Sequence, residues 1–495
     1  MTIQGIVIAA LSVSAAAYFY GQFPTPYSYV AVGAFSLFGT CAALFTRSSA
    51  RKAIVKLKGL SWSREDFCRG WLITGDTGSG KTRSGINQLM FQVFTNEPNW
   101  GGLCIDDKGL YYETLKEMCR HFGRENDLIL LQIRPDGAPP NWKLEHRYNL
   151  TGDRNLPFTT YSRAVVDTAS SFSTSDKGFF KNQADGHIAK ALEALSEISA
   201  EPGKCTATLK NVNSVLTSET DLNDLLSALR ELPTNEKRQE LIAYFEEQYL
   251  KQAPEQRSGV VQTIANYLRS FLTPDIAQVF SSPEPNTFEL SDIDKGKIIC
   301  VSMPQKYQTE RRYINTFLKL LFYGHCLRRF DRTEAERAKD NLLILWADEA
   351  QRFITANEEG MSDYNNIDVI REARATIVAA SQSTTSFVPP LGKDKAKVFT
   401  LNLRNRMIFK AADEEGALDS ADFLGKREVW KRSYGMSAGR SSYNRSKVEE
   451  HRFKTHELRA MKNHECVLVH CQEGPRKCVL PPLEPNGQIS KWFRR

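Results

Sequence analysis

A glycine-rich stretch in the first fifth of the chain has the residue types and spacing of a phosphate-binding loop. Residues 75–82 read Gly-Asp-Thr-Gly-Ser-Gly-Lys-Thr, which is the pattern G-x-x-x-x-G-K-T. Glycines let backbone N–H groups approach phosphates closely, the lysine reaches the β- and γ-phosphates, and the threonine hydroxyl is placed to ligate Mg²⁺. The pattern predicts ATP and Mg²⁺ as cofactors. The predicted binding residues are Gly75, Asp76, Thr77, Gly78, Ser79, Gly80, Lys81 and Thr82.

A second chemical signal is an apolar run that ends in two carboxylates, Asp348 and Glu349. A buried strand tolerates carboxylates only at its end, where a metal ion and water offset their desolvation. We predict that Asp348, with Thr82, ligates Mg²⁺, and that Glu349 is the general base that polarises the attacking water. A strand that simply ends in surface acids is the alternative. Together with the loop and its Lys81, the two acids predict a site that hydrolyses ATP.

Three further polar residues lie just before a predicted strand at 376–383 or at its carboxyl end. Gln382 lies at the carboxyl end of this strand, which in a parallel sheet faces the ligand crevice, so we expect it to sense the γ-phosphate or to orient water. Arg371 and Arg374 lie on a predicted short helix at 368–375, and either could reach a neighbouring subunit's nucleotide as an arginine finger. The alternatives are an ordinary polar strand end for Gln382 and surface salt bridges for the two arginines.

Alternating strands and helices must position these residues. The loop follows a strand end at 71–73 and precedes a helical pattern at 81–94, with further strands expected at 102–107, 127–133, 297–302 and 401–410. Helical patterns at 113–126 and 310–330 separate them, and residues 464–472 and 476–480 read as a hairpin. This alternation predicts an α/β protein with a parallel, doubly wound sheet.

Between residues 159 and 257, apolar side chains recur every three or four positions and no strand pattern is evident. We therefore predict an all-α domain inserted into the α/β core. The core would then be divided into residues 47–158, which carry the phosphate-binding loop, and residues 258–495, which carry the two acids.

The first 46 residues contain no charged side chain. Residues 3–20 and 27–45 are apolar and each is close to the ~20 residues that cross a bilayer as a helix, with a turn between them that contains two prolines. Basic residues follow, and the positive-inside rule places them, together with the N-terminus and the ATPase body, in the cytoplasm. A cleaved signal peptide, for which a basic leading region is lacking, and two buried core helices are the alternatives.

Composition is that of an ordinary globular protein, with a net charge of +7 that permits contact with nucleic acid or anionic lipid without requiring it. The ten cysteines form no C-x-x-C pair, which favours reduced thiols, and Cys466, Cys471, Cys478, His464 and His470 fit no standard zinc spacing. Residues 432–445 are rich in Ser, Gly, Tyr and Arg and are predicted to be a mobile loop. Its basic and aromatic residues could contact a nucleic-acid backbone or simply be solvated.

The order of these parts resembles the coupling proteins of type IV secretion in bacterial conjugation, within the FtsK/HerA group of P-loop motors. Residues 106–109 (Asp-Asp-Lys-Gly) resemble the family's D-P-K-G, with Asp107 in place of proline, and residues 148–150 (Tyr-Asn-Leu) resemble its N-P-L. Asp348-Glu349 resembles its D-E, Arg371 falls where the family has an arginine, and residues 381–383 resemble its glutamine-serine sensor.

The resemblance implies a RecA-like P-loop NTPase core with an inserted all-α domain and an N-terminal transmembrane helical hairpin. It implies a homo-hexamer in the bacterial inner membrane. This hexamer would use ATP hydrolysis to move DNA, expected to be single-stranded and attached to a relaxase, towards the inner-membrane components of a secretion channel. Two alternatives remain open at this point: a phage-assembly, packaging or effector-export ATPase, and a nucleotide-gated membrane scaffold.

Overall fold

The computed structural model describes residues 52–153, 156–172, 178–199, 206–358, 360–437 and 440–493, and gives only the backbone for residues 433–444 within these ranges. The predicted membrane spans at 3–20 and 27–45 lie outside the described residues. Among the helices within the described ranges, none is both long enough and apolar enough to cross a bilayer.

Strands and helices alternate through most of the described chain. The strands are β1 (Ala53–Leu57), β2 (Leu60–Ser63), β3 (Trp71–Thr74), β4 (Gly101–Asp106), β5 (Leu128–Gln132), β6 (Ile298–Ser302), β7 (Leu343–Asp348), β8 (Ala375–Ser381), β9 (Asn405–Ile408), β10 (Lys426–Ser437), β11 (Arg440–His451), β12 (Glu465–Val469) and β13 (Arg476–Val479).

The helices vary from one turn to six. They are α1 (Arg64–Phe67), α2 (Asn87–Asn96), α3 (Tyr111–His121), α4 (Phe158–Ser170), α5 (Gly178–Glu197), α6 (Leu209–Thr217), α7 (Glu219–Glu231), α8 (Glu236–Ala243), α9 (Pro254–Leu268), α10 (Pro274–Phe280), α11 (Gln308–Arg328), α12 (Glu334–Arg337), α13 (Asp363–Asn366), α14 (Val388–Leu391), α15 (Lys393–Asn402), α16 (Glu414–Leu424) and α17 (Thr455–Arg459). A π-helical turn, Lys81–Ile86, precedes α2, and another, Tyr244–Tyr249, follows α8.

Within the described residues, the main sheet has nine strands in the order β13-β12-β9-β3-β8-β7-β4-β6-β5. From β9 to β5 every neighbouring pair is parallel, whereas β12 is antiparallel to both β9 and β13. The parallel α/β sheet and the hairpin that closes it were predicted correctly. The strand expected at 401–410 is limited to β9, because residues up to Asn402 belong to α15.

Strand side chains alternate between two hydrophobic cores, one on each face of the sheet. Leu103 and Ile105 of β4 join the core that contains α11, while Cys104 between them joins the core that contains α2 and α3. Burial on both faces explains why the parallel strands read as continuous apolar runs. It also leaves the strand ends as the places where polar side chains can lie.

Helices α4 to α9 lie between β5 and β6 in the chain, in the region predicted to be all-α. Their buried side chains belong to the same hydrophobic cluster as Leu103 and Ile105 of the sheet. The predicted boundary between residues 257 and 258 falls inside α9, which packs against α5 and α6 and buries Val260 and Ile264. The group of helices therefore continues along the chain to Leu268.

The prediction of a mobile loop at 432–445 is wrong. Strands β10 and β11 pair antiparallel over twelve positions, with Val429 opposite Val448 and Trp430 opposite Lys447. The Gly, Ser and Asn residues there resemble loop composition, but cross-strand pairs of β-branched and aromatic side chains stabilise a hairpin. Such pairing depends on residues far apart in sequence, so local composition did not reveal it.

Candidate active site

The P-loop and the two acids that were predicted to do chemistry meet at the carboxyl ends of β3, β4 and β7. The P-loop leaves β3, and Asp106 at the end of β4 lies directly opposite Asp348 at the end of β7. A cavity of about 340 Å³ opens between these strand ends. Its lining residues are Thr77, Gly78, Gly80, Lys81, Thr82, Arg83, Lys108, Asp348, Glu349, Asn463, His464 and Trp492.

The P-loop backbone is held in conformations that require glycine. Gly80 has a φ of 113°, and a Cβ added there would lie 2.8 Å from Nδ1 of His464. Gly78 has a φ of 78°, and an added Cβ would meet nothing within 4 Å, so its backbone faces open space in the cavity. The loop therefore presents bare backbone to the cavity, as a phosphate cradle needs.

Lys81 is buried, and its Nζ donates hydrogen bonds to the carbonyl oxygens of Gly75 at 2.6 Å and Asp76 at 3.1 Å. Burial lowers the pKa of Lys81, while the nearby carboxylates of Glu349 and Asp348 oppose that shift. Two carbonyl oxygens of the loop therefore bind the ammonium at the positions that phosphate oxygens would take. Phosphate oxygens fit this position because they would replace two neutral acceptors with charged ones.

Thr82 and the two acids lie within reach of one another. The Thr82 hydroxyl donates to Oδ2 of Asp348 at 3.4 Å, and the other oxygen of Asp348 accepts from the N–H of Glu349 at 3.1 Å. Glu349 has a φ of 53°, a left-handed conformation that is costly for a non-glycine residue and that clusters at functional sites. Gln351 donates from Nε2 to Oε2 of Glu349 at 2.7 Å, which orients that carboxylate.

Negative charge accumulates at this end of the cavity. Burial, together with the carboxylates of Asp106 and Glu349, raises the pKa of Asp348 to about 6, although Lys108 and Lys81 act in the opposite direction. A divalent cation would relieve this repulsion, and hydroxyl and carboxylate oxygens are the ligands that Mg²⁺ prefers. The donor set therefore fits Mg²⁺ held by Thr82 and Asp348, where it would neutralise charge on the phosphates during hydrolysis.

Lys108 and Asp106 contribute to the site in ways that the motif analysis did not assign. Nζ of Lys108 lies 3.6 Å from Oε1 of Glu349. The Asp106 carboxylate accepts the N–H groups of Lys108 at 2.6 Å, Leu110 at 2.8 Å and Tyr111 at 2.9 Å, so it shapes the turn and the start of α3. The Asp-Asp-Lys-Gly motif could have indicated both residues.

Five of the predicted binding and catalytic residues do not line the cavity. Asp76 accepts the Thr77 N–H at 2.7 Å, Ser79 is buried, the side chain of Gln382 is exposed, and Arg371 is exposed and paired with Glu372 at 3.0 Å. Gln382 touches the P-loop through its backbone, because its carbonyl accepts the Gly75 N–H at 3.2 Å. Gly75 likewise borders a small neighbouring cavity rather than this one.

The residues considered as zinc ligands are divided among three contacts in the described chain. His464 contacts Ser84, the Sγ atoms of Cys466 and Cys478 lie 3.7 Å apart, and His470 and Cys471 group with Asp66. His464 also lines the nucleotide cavity, together with Asn463 and Trp492. No spacing signal connects these three residues to the P-loop, which lies almost four hundred positions earlier.

Comparison with known proteins identifies the family. The profile of the family described as "Type IV secretory system Conjugative DNA transfer" matches residues 138–479, more than half of the chain. The chain belongs to this family. No curated protein sequence matches it.

Solved structures of bacterial conjugative coupling proteins share the fold of this family member. The unbound monoclinic form of TrwBdeltaN70 aligns with a TM-score of 0.63 and 16% identity, covering 91% of this chain and 92% of that one. TrwB in complex with ADP and Mg²⁺ aligns with a TM-score of 0.62 over 91% and 92%, and TrwB with a non-hydrolysable ATP analogue with 0.62 over 91% and 93%. At this identity the likeness establishes the α/β P-loop fold.

Proposed function

We propose that this protein is an ATPase that couples ATP hydrolysis to the delivery and translocation of DNA into a type IV secretion channel. One observation carries the proposal: Lys81 and Thr82 of the P-loop meet Asp348 and Glu349 in one cavity, in a chain of the conjugative DNA transfer family. The complexes of TrwB with an ATP analogue and with ADP and Mg²⁺ support ATP and Mg²⁺ as its cofactors.

Each residue has a defined task in hydrolysis. Lys81 exchanges its two carbonyl partners for the β- and γ-phosphates, and Thr82 and Asp348 hold Mg²⁺. Glu349 accepts a proton from the attacking water, while Gln351 and Lys108 hold its carboxylate in place. Gln382 is assigned to sensing the γ-phosphate, and Arg371 to completing a neighbouring subunit's site as an arginine finger.

The β10–β11 hairpin is a candidate contact for DNA. Trp430 is 51% exposed, with the Arg445 guanidinium 4.3 Å and the Lys447 ammonium 5.3 Å from its ring centroid. Lys431 and Arg432 beside it are also exposed. Aromatic faces that stack on bases, combined with cations that bind phosphates, are the pattern that binds single strands without sequence preference.

The remaining parts of the proposal rest on the sequence. We place residues 3–20 and 27–45 in the bacterial inner membrane as a hairpin, with the N-terminus and the ATPase body in the cytoplasm. The helices of residues 159–257 are assigned to substrate selection as an inserted domain between core segments 47–158 and 258–495. A homo-hexamer, acting on single-stranded DNA with an attached relaxase and on the inner-membrane components of the secretion system, completes the proposal.

ATP hydrolysis by the purified full-length chain, measured with and without single-stranded DNA, tests the proposal. We expect DNA to stimulate turnover and Lys81→Ala to abolish it without lowering the melting temperature. The double variant Lys431→Glu, Lys447→Glu should keep basal turnover and lose about tenfold in DNA affinity at moderate salt, because opposite charges replace two phosphate contacts. Lys295→Glu, at an exposed lysine outside the hairpin, is the matched control.

The outcomes separate the parts of the proposal. Turnover that DNA leaves unchanged at every protein concentration contradicts a DNA motor. Normal DNA affinity in the double variant removes the hairpin as the contact and leaves the ATPase intact. A Lys81→Ala chain that still hydrolyses ATP contradicts the assigned site.

A further inference from the structure

The nucleotide cavity contains an aromatic side chain that phosphate chemistry does not use. Trp492 lines the cavity together with Thr77, Gly78 and Gly80 of the P-loop. Its side chain is 57% exposed, so the indole keeps an open face. Such a face offers a flat apolar surface, which suits a planar ring and gives nothing to a phosphate group.

The segment that carries Trp492 is fastened to the helix that follows the P-loop. We call residues 480–493 the covering segment. The N–H of Leu483 donates to the carbonyl of Arg83 at 3.0 Å, and the Asn87 side-chain amide donates to the carbonyl of Leu483 at 3.0 Å. Gln88 donates in the same way to the carbonyl of Pro481 at 2.8 Å. These bonds hold the covering segment beside the cavity.

The covering segment also folds back on itself before it reaches Trp492. A β-bridge joins Leu483 to Ile489, and the N–H of Ser490 donates to the carbonyl of Pro482 at 3.0 Å. Gly487, at the turn, lies so close to Phe91 that an added Cβ would be 2.3 Å from its ring. The position of the turn on α2 is therefore sterically defined.

His464 connects the P-loop to the indole. The backbone N–H of His464 donates to the carbonyl of Ser79 at 2.8 Å, and Nδ1 of its ring lies 2.8 Å from the Ser84 hydroxyl. The His464 ring lies 5.4 Å from the Trp492 ring and 5.3 Å from the Phe493 ring, measured between centroids. The three rings form one cluster, and the bonds of His464 to Ser79 and Ser84 fix the position of this cluster beside the P-loop.

We propose that Trp492 stacks on the base of the bound nucleotide. This inference rests on the proposed ATP site. With the phosphates over the P-loop and Mg²⁺ at Thr82 and Asp348, the wall left for the base contains Asn463, His464 and Trp492, with Arg83 beside them. Base stacking on an aromatic side chain tolerates any base, whereas a side-chain amide such as that of Asn463 can pair with a base edge.

The test compares ATP with inorganic tripolyphosphate, which has the phosphates and lacks the base and ribose. Binding of each, with Mg²⁺, is measured by titration calorimetry on the purified full-length chain. Trp492→Ala should weaken ATP binding about five- to a hundredfold, the usual range for losing one base–aromatic stack. It should leave tripolyphosphate binding within about twofold, because the phosphate contacts are untouched.

Three control variants make the result specific. Trp492→Phe should retain most of the ATP affinity, since a phenyl ring still stacks. Leu401→Ala removes an exposed apolar side chain on α15, outside every site proposed for this chain, and should affect neither ligand. Lys81→Ala should weaken both ligands. Because Trp492 is more than half exposed, its loss should leave the melting temperature unchanged.

Two results would overturn the inference. Trp492→Ala could leave ATP binding unchanged, or it could weaken ATP and tripolyphosphate equally, and in either case no contact with the base exists while the ATP site stands. Failure of the unmodified chain to bind either ligand is a different outcome. It would refute the ATP site itself, and this inference with it.

Discussion

Glu349 combines three features that a general base needs. Its left-handed backbone directs it away from the strand, Gln351 and Lys108 hold its carboxylate, and it lines the cavity beside Lys81. The backbone strain at this residue is costly, so it is best explained by a task that no relaxed position could perform. Among the described residues that line the cavity, no other carboxylate has this combination of contacts.

Glu349→Gln should therefore separate binding from hydrolysis. The amide keeps the shape and the bond to Gln351 but cannot take a proton, so kcat should fall about 10²- to 10⁴-fold, the usual share of a general base. The KM for ATP should change little, because the phosphate and Mg²⁺ contacts remain. Steady-state kinetics measures both constants.

Glu414→Gln is the matched control, since that glutamate is exposed and paired with Arg459 rather than directed into the cavity. It should retain normal kcat. If Glu349→Gln retains more than about a tenth of wild-type kcat, another group serves as the base and the assignment is wrong.

Among the elements, α5 contains a buried histidine with neutral partners. His187 is 2% exposed, and its two ring nitrogens lie 2.6 Å from the Tyr244 hydroxyl and 3.1 Å from Nε2 of Gln252. Tyr249 packs edge-on against it at 4.8 Å. These bonds connect α5 to the π-helical turn and to the short connection that precedes α9. Burial lowers the pKa of His187 from 6.5 to about 4.

Acid should loosen this group of helices. Between pH 6.5 and 4 the unfolded chain binds a proton at His187 that the folded chain does not bind, so stability is present above pH 6.5 and is lost as pH falls. His187 should account for about 2 kcal/mol of the loss between pH 7 and pH 4.5. Helix unfolding followed by circular dichroism at the two pH values should show a smaller loss in His187→Gln.

The exposed His456 offers a control, because His456→Gln should retain the pH response of the unmodified chain. An identical pH response in His187→Gln and in the unmodified chain would mean that the buried imidazole does not destabilise the fold in acid.

At the scale of the whole molecule, variants of Arg371 can test whether each ATP site needs a residue from a neighbouring subunit. This arginine is exposed, lies outside the cavity of its own chain and has only a surface ion pair with Glu372, so in the proposed hexamer it can reach a second subunit's site. Arg374 differs, since it donates to the backbone carbonyls of Ala338 at 2.8 Å and Asp340 at 3.4 Å and so has a structural role within its own chain.

Arg371→Ala should lower kcat about 10³-fold or more, the contribution of an arginine finger, without changing the melting temperature. Mixing it in equal amounts with Lys81→Ala, which is inactive alone, should restore roughly a quarter of wild-type activity. Roughly a quarter of the interfaces in a randomly mixed ring pair an intact site with an intact finger. ATPase assays of the two variants, separate and mixed, measure this.

Arg374→Ala serves as the comparison and should lower the melting temperature while keeping most of the activity. Absence of recovery in the mixture would place Arg371 in its own subunit's chemistry or outside catalysis altogether.

The sequence by itself determined the features of this protein that depend on residues close together in the chain. Eight consecutive residues specify the P-loop because its turn and its phosphate contacts depend on spacing along the chain. Apolar strands that end in Asp348-Glu349, and helices that alternate with strands, likewise indicated a parallel sheet, since burial on both faces leaves a continuous apolar run. The Asp-Asp-Lys-Gly motif was visible as well, although its contacts were not.

Only the tertiary structure decided the parts that depend on residues distant in the chain. The β10–β11 hairpin is stabilised by pairs such as Trp430 and Lys447, and the helical group continues through α9 because its face packs on α5 and α6. His464 reaches the P-loop through its backbone N–H, and the segment that carries Trp492 is held through the backbone of Pro481 and Leu483, to which any residue type can contribute. Such bonds leave no residue pattern in the sequence, so the aromatic wall of the nucleotide cavity became evident only in three dimensions.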